Sequence, residues 1–276
     1  MPKVLTPKAI ENYRVDGIHF PVDVMPAAEA GDLLSRFEAM EARDGGKLSS
    51  RNNLKPHLLV PWIAALIRHP RILDAVEDLF GPNLLCWSSA FFAKNARDSA
   101  FVSWHQDSTY WGLSSTDVVT AWIALTPSRV ENGCMRIVPG THKAQVAHAD
   151  TFGETNLLSR GQEIAVEVDE SEAVDVVLEP GQMSLHHVML FHGSEPNPAD
   201  YRRVGLAVRY IPTSVSQVGG NRNSASLVRG VDEFGHFDHE PRPESEFHPD
   251  AVARHAAFLD RHLSIQYAGA MKRGSR

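Results

Sequence analysis

Three side chains carry the strongest chemical signal in the chain. His105 and Asp107 lie one residue apart in Trp104-His105-Gln106-Asp107, and His192 follows far downstream in Phe191-His192-Gly193-Ser194. Two imidazoles and one carboxylate in this arrangement are the ligand set of a facial-triad non-heme Fe(II) centre. Ligands on one face of an octahedron leave the opposite face open, and an oxygenase uses it for a chelating cosubstrate and for O2. The short spacing has a geometric reading. On a β-strand, side chains two apart point to the same side, so His105 and Asp107 can converge while Gln106 faces away. The third ligand then comes from another strand. A bare His-x-Asp is common in sequences; specificity has to come from what surrounds it.

The surrounding elements read clearly. Thr6-Pro7 followed by Ala9, Ile10 and Tyr13 predicts an N-capped helix with proline at its first position, ended by Gly17. A short strand, Ile18–Val22, comes next. A second helix runs from Pro26 to Glu41, with Ala30, Leu33, Leu34 and Phe37 at helical spacing. Pro61 to Leu79 reads as further helix, interrupted at His69-Pro70. From Leu84 the character changes to short apolar runs punctuated by Pro and Gly turns. The strand candidates are Leu84–Lys94, Val118–Leu125, Arg136–Pro139, Ile164–Val168, Val174–Leu178, Met183–His187 and Val204–Ile211. Ser214–Pro249 is polar and reads as loop, and a last helix spans Pro249–Tyr267. Many short strands after a helical opening predict a mainly β sandwich or barrel with flanking helices.

Bulk properties narrow the classes. With 276 residues and 43% hydrophobic content the chain can bury a substantial core, and no linker divides it, so one domain is expected. Within it, 1–82 reads as the mostly helical part, 84–212 as the β core and 213–276 as polar loop plus helix. A formal charge of −7 with scattered Lys and Arg gives no footprint for nucleic acid. No run approaches the roughly 18 consecutive apolar residues of a membrane span. The N-terminal residues lack the apolar core of a secretory signal, and Cys86 and Cys134 read as small buried hydrophobes in a reducing, cytoplasmic setting.

Around the triad the sequence resembles the phytanoyl-CoA dioxygenase family of Fe(II)/2-oxoglutarate oxygenases. The matching stretches are His105-Gln106-Asp107, Trp122-Ile123-Ala124-Leu125, Glu131-Asn132-Gly133-Cys134-Met135 and Val138-Pro139-Gly140-Thr141-His142-Lys143. Pro180-Gly181, His192-Gly193-Ser194-Glu195-Pro196-Asn197 and Arg203, in a strand ending at Tyr210, complete the order. The resemblance covers nearly the whole chain and is weakest after Pro212. It implies a double-stranded β-helix, or jelly roll, with helices on one side. It further implies His105, Asp107 and His192 as Fe(II) ligands, and hydroxylation of a substrate C–H bond by O2 coupled to conversion of 2-oxoglutarate to succinate and CO2. Arg203 would pair with the distal carboxylate of 2-oxoglutarate through two parallel hydrogen bonds. Ser194, Lys94 and Trp122 would also adjoin the cosubstrate. Related halogenases carry a small residue where Asp107 stands, so the carboxylate implies hydroxylation.

Strand parity adds a further expectation. If Arg203 points inward, so do Gly205, Ala207 and Arg209, whereas Arg202 faces out as a solvated charge. Arg209 is then a candidate for an acidic substrate group, with a structural ion pair as the alternative. Thr109, Tyr110 and Trp111 are expected at the pocket rim, and Asn221, Arg222 and Ser224 in a loop suited to a lid. His186 and His187 read as pocket-lining or hydrogen-bonded residues. The expected substrate is a small polar or anionic metabolite: amino-acid-like, betaine-like or an organophosphonate. A natural product or acyl thioester is the alternative within the enzyme class. Outside it stand a metal-binding cupin-like protein and a catalytically retired homologue.

Overall fold

The computed structural model describes residues 2–107, 111–151, 155–158, 161–219 and 222–266. Helix α1 (Pro7–Asp16) is capped by Thr6, whose side chain accepts from Ala9 N, and is closed by Gly17 at φ 79°. Strand β1 (Ile18–Asp23) and helices α2 (Ala27–Arg43) and α3 (Ser50–Asn53) follow. Next come α4 (Pro61–Leu66) and α5 (Pro70–Phe80), with the break at His69-Pro70 where proline has no N–H to continue the ladder.

The β core holds β2 (Leu84–Lys94), β3 (Val102–His105), β4 (Val119–Ala124), β5 (Met135–Val138), β6 (His148–Asp150) and β7 (Gln162–Ile164). It continues through β8 (Val174–Val176), β9 (Gln182–His187), β10 (Phe191–Ser194), β11 (Arg203–Pro212), β12 (Ser224–Arg229) and β13 (Asp238–His239), and helix α6 (Pro249–Gln266) ends the described chain. A seven-stranded sheet in the order β1-β9-β4-β11-β2-β12-β13 faces a four-stranded sheet in the order β3-β10-β5-β8. This is the expected jelly roll, mainly antiparallel and not closed into a barrel.

Side-chain parity divides the large sheet between two cores. Val204, Leu206, Val208 and Tyr210 of β11, with Val119, Ala121 and Ile123 of β4, pack against the helices through Phe37, Ile63, Ile67 and Ile72. The alternate residues Ala207, Trp122 and Ala124 meet Met135, Ile137 and Leu190 inside the jelly roll. Because the helices cover the outer face, β11 is buried on both faces, which is why its sequence is almost uniformly apolar.

Two expectations are corrected. The run Ile164–Val168 is strand only to Ile164, since its partner β6 offers a three-residue ladder that ends with His148 opposite Ile164. The segment Ser214–Pro249 is not all loop: β12 pairs with β2, with Ser226 opposite Cys86 and Leu227 opposite Leu85. The exposed edge of β2 supplies the missing hydrogen-bonding groups, a tertiary partner that a polar local sequence does not announce. Among the described residues, no helix is long and apolar enough to cross a membrane.

A buried ionic cluster ties β12 and the residues after β13 to the helical layer. Lys55 donates to Glu240 Oε1 at 2.6 Å and to Ser224 O at 2.7 Å, and its ammonium lies 4.1 Å from the Phe258 ring of α6. Glu240 Oε2 accepts from Ser226 at 2.7 Å and faces His57 Nε2 at 3.2 Å. Burial raises the Glu240 pKa, but Lys55 and His57 outweigh it and hold the carboxyl well below the usual range. A depressed carboxylate stabilises the fold above its unfolded pKa of about 4.3 and loses that contribution as acid protonates it. We predict that Glu240→Ala, which strands Lys55 without a counter-charge, costs about 3–5 kcal/mol, read as a lowered urea midpoint. An unchanged midpoint would mean the cluster does not hold these elements.

Candidate metal centre

His105 and His192 are brought together by strand pairing: they stand directly opposite each other on β3 and β10. Their ring centroids are 4.0 Å apart, and both residues are buried. Each ring is oriented in the same way. His105 Nδ1 lies 2.9 Å from Ser103 O, and His192 Nδ1 lies 2.9 Å from Leu190 O. A carbonyl only accepts, so each Nδ1 carries the proton and each Nε2 presents a lone pair to the interior. Burial, reinforced by the neighbouring His105, pushes the His192 pKa well down, which keeps it a neutral donor.

Asp107 reaches the same point by a route that departs from the strand argument. β3 ends at His105, so Asp107 is not on a regular strand and alternation does not aim it. Gln106 does, and it is fully buried. Its amide donates to Ala144 O at 2.8 Å and Met189 O at 2.7 Å, and its carbonyl accepts from Val146 N at 2.9 Å. Its backbone N–H donates to His148 Nε2 at 2.9 Å, and Asp107 N donates to Val188 O at 2.9 Å. Gln106 therefore faces away from the interior, as expected, but as an anchor that turns the chain inward at Asp107. The sequence signal was available: a glutamine between two candidate ligands, followed at a distance by a further histidine.

The donor atoms of His105, Asp107 and His192 all lie within 4.8 Å of one another. Two aimed imidazole lone pairs and one carboxylate, all buried, fit a six-coordinate divalent transition metal bound on one face. Burial pushes Asp107 up, yet the carboxyl stays well below the usual range, with the nearby Arg209 guanidinium the largest opposing influence. His186 lines the cavity with its ring 5.0 Å from that of His192, and burial lowers its pKa to about 4. His187 Nδ1 accepts from Met189 N at 3.1 Å. Both match the pocket-lining and hydrogen-bonded readings.

Beside the triad is a narrow cavity of 40 Å³, lined also by Trp122, Ser194, Arg203 and Arg209. Arg203 is 2% exposed, its Nε has no hydrogen-bond partner, and no acidic side chain among the described residues pairs with it. Its guanidinium lies 5.3 Å from the Trp122 ring, and burial lowers its pKa to about 10. Gly205 permits this layout, because a Cβ there would collide with the Trp122 ring. Lys94 stands opposite Arg203 on β2 but does not line the cavity. Its ammonium donates to Ser194 Oγ at 2.6 Å, to Ser194 O and to Glu195 O, and burial, then Arg203, lowers its pKa to about 7.

A second cavity of 540 Å³ shares Asp107, Phe92 and Arg209 with the first. Trp111 lines it, as expected of a rim residue. Arg202, just before β11, is not merely solvated: it pairs with Glu41 at 2.9 Å and Glu38 at 3.3 Å. Arg222 is exposed, pairs with Asp238 at 2.6 Å and lines neither cavity, and Ser224 is committed to the Glu240 cluster. Thr109, Tyr110 and Asn221 lie outside the described residues.

The family model described as phytanoyl-CoA dioxygenase (PhyH) matches residues 13–205, a stretch that contains the whole triad and Arg203. The chain belongs to the phytanoyl-CoA dioxygenase family. It is 31% identical over 159 residues to a probable alpha-ketoglutarate-dependent hypophosphite dioxygenase of Stutzerimonas stutzeri, covering 56% of this chain and 54% of that one. The chain spans about half the length of the curated relatives it matches. Among solved structures it resembles the non-heme monooxygenase ThoJ, at 36% identity and a TM-score of 0.85 over 96% of this chain and all of that one. It also resembles CytC3 with Fe(II) and alpha-ketoglutarate, at 26% identity and a TM-score of 0.66 over 89% and 97% of the two chains.

Co(II), a spectroscopic substitute for iron, tests the centre without turnover. We predict that His105→Ala and His192→Ala abolish tight Co(II) binding measured by calorimetry. Gln106→Leu should weaken it about 10- to 100-fold and change the visible Co(II) spectrum while the protein stays folded. Wild-type affinity and spectrum in Gln106→Leu would remove the anchoring role.

Proposed function

We propose that this protein is an Fe(II)/2-oxoglutarate-dependent dioxygenase that hydroxylates an unactivated C–H bond of an anionic small molecule. The observation that carries the reading is a buried guanidinium with no counter-ion among the described residues, Arg203, sharing one cavity with two aimed imidazoles and a carboxylate. His105, Asp107 and His192 would hold the ferrous ion. That ion supplies activation of O2, one oxygen atom entering the substrate C–H bond and the other appearing in succinate as 2-oxoglutarate loses CO2.

The protein's own residues do the positioning. Arg203 binds the distal carboxylate of 2-oxoglutarate with two parallel hydrogen bonds, and Trp122 gives that end of the cosubstrate a flat wall. Ser194 presents its hydroxyl to the same carboxylate, and Lys94 keeps Ser194 and β10 in register from behind. The narrowness of the inner cavity keeps bulk water from the cosubstrate, which strengthens each of these contacts. A purely metal-binding cupin-like role leaves Arg203 without a purpose, and a retired homologue leaves the aimed donors without one.

For the substrate, Arg209 supports an anionic group, and the name of the hypophosphite relative is in keeping with a small one. The volume and aromatic lining of the outer cavity favour the bulkier reading, a natural product or acyl thioester, over the most compact solutes. The enzyme reading is tested by anaerobic addition of Fe(II) and 2-oxoglutarate, for which a visible charge-transfer band is expected in the wild type. Succinate release across anionic, zwitterionic and acyl-CoA compounds then sorts the substrate class. We predict that Arg203→Ala raises the 2-oxoglutarate concentration for half-maximal band intensity about 100-fold or more with Co(II) affinity unchanged. A failure of 2-oxoglutarate to bind the wild-type, metal-loaded protein would sink the oxygenase reading.

A further inference from the structure

The outer cavity has a continuous wall that begins at the triad and runs outward. Arg209 Nη2 lies 3.9 Å from Asp107 Oδ2, and its guanidinium is 5.4 Å from the Trp111 ring. The rings of Trp111 and Trp87 are 4.8 Å apart, and His262 of α6 is 5.9 Å from Trp87. Ser88 stands opposite Arg209 across the β2–β11 pair and is buried. All of these residues line the same 540 Å³ cavity.

Arg209 is 8% exposed and its Nε has no hydrogen-bond partner. Its contact with Asp107 is too long for a hydrogen bond, and Asp107 is also committed to the triad. A buried guanidinium with an open edge is a site for an anion, because leaving it unsatisfied is costly. Glu41, Lys47, Arg51, Asp98 and Asp260 line other parts of the same cavity, but the stretch from Trp111 through Trp87 to His262 carries no charge to pair. It consists of indole faces and of His262, whose pKa burial lowers to about 4, so the ring is neutral near pH 7. The wall therefore asks for a carboxylate at its inner end and a flat apolar body along its length.

Resting on the oxygenase reading above, we propose that this slot binds an arylalkanoate, its carboxylate on Arg209 and Ser88 and its ring along Trp111, Trp87 and His262. The short alkyl link then lies beside Asp107, which puts the oxidised C–H bond close to the carboxylate rather than on the ring. A compact zwitterion leaves the aromatic wall uncovered. A neutral arene leaves Arg209 unpaired.

Quenching of tryptophan fluorescence tests the slot, with 3-(2-naphthyl)propanoate as probe and its neutral primary amide and glycine betaine as comparisons. The titrations are run on the full chain with and without Co(II) and 2-oxoglutarate. The acid should bind about tenfold or more tighter than its amide, the difference expected for a charge-assisted hydrogen bond. Arg209→Gln should erase that difference while the affinity for the neutral amide stays within about twofold. Trp87→Leu should weaken acid and amide alike. The idea is overturned if acid and amide bind equally, if betaine binds more tightly than the acid, or if the acid–amide difference survives in Arg209→Gln. The acid–amide comparison uses unaltered protein, so it holds even where a variant misfolds. Loss of Co(II) or 2-oxoglutarate binding in wild type, with acid selectivity intact, would strike the oxygenase reading and leave the slot standing.

Discussion

The pairing of β3 with β10 is the contact on which the centre depends. It sets His105 opposite His192, and each imidazole is then locked by the carbonyl two residues before it. The two rings can sit this close in a dry interior because their Nδ1–H groups point away into the backbone. The carboxylate brings the one negative charge, and Arg209 stands near enough to moderate it. A metal entering this space meets oriented donors and has little reorganisation to impose.

The larger sheet serves the site by dividing its two faces. One face of β11 anchors the helical layer, so the strand cannot slide; the other carries Arg203, Gly205, Ala207 and Arg209 toward the interior. A one-residue slip would exchange these sets and bury the wrong side chains, so the register is strongly fixed. The result is a rigid strip bearing two cations in different settings. Arg203 is enclosed against Trp122, whereas Arg209 opens onto a roomy aromatic cavity. That difference in enclosure separates a tight inner setting from one with room for a larger molecule.

Much of this was legible in the sequence. The pairing of His105 with a distant His192, the parity of β11 and the capping of α1 agree with the structure, whereas the strand alternation read from His105 and Asp107 does not, since β3 ends at His105. Less legible was anything whose partner lies far along the chain. Strand β12 exists because β2 has an edge to share, and Glu240 is buried because Lys55 and His57 meet it from the helical layer. Arg202 appeared to be solvated until α2 brought two glutamates over it.

The identity of the donor residues, the alternation that turns Arg203 inward and the β-rich class of the fold were set by residue types and their periodicity. Those are short-range properties, readable from a few neighbours. How Asp107 reaches the shared point, what leaves Arg203 with no counter-ion among the described residues, and the two cavities of unequal size that meet at Arg209 came from the tertiary structure. Each depends on groups distant in sequence and close in space, such as Ala144, Val146, His148 and Met189 gathered around Gln106. Hydrogen bonding and enclosure act through distance in space, which a linear pattern does not encode.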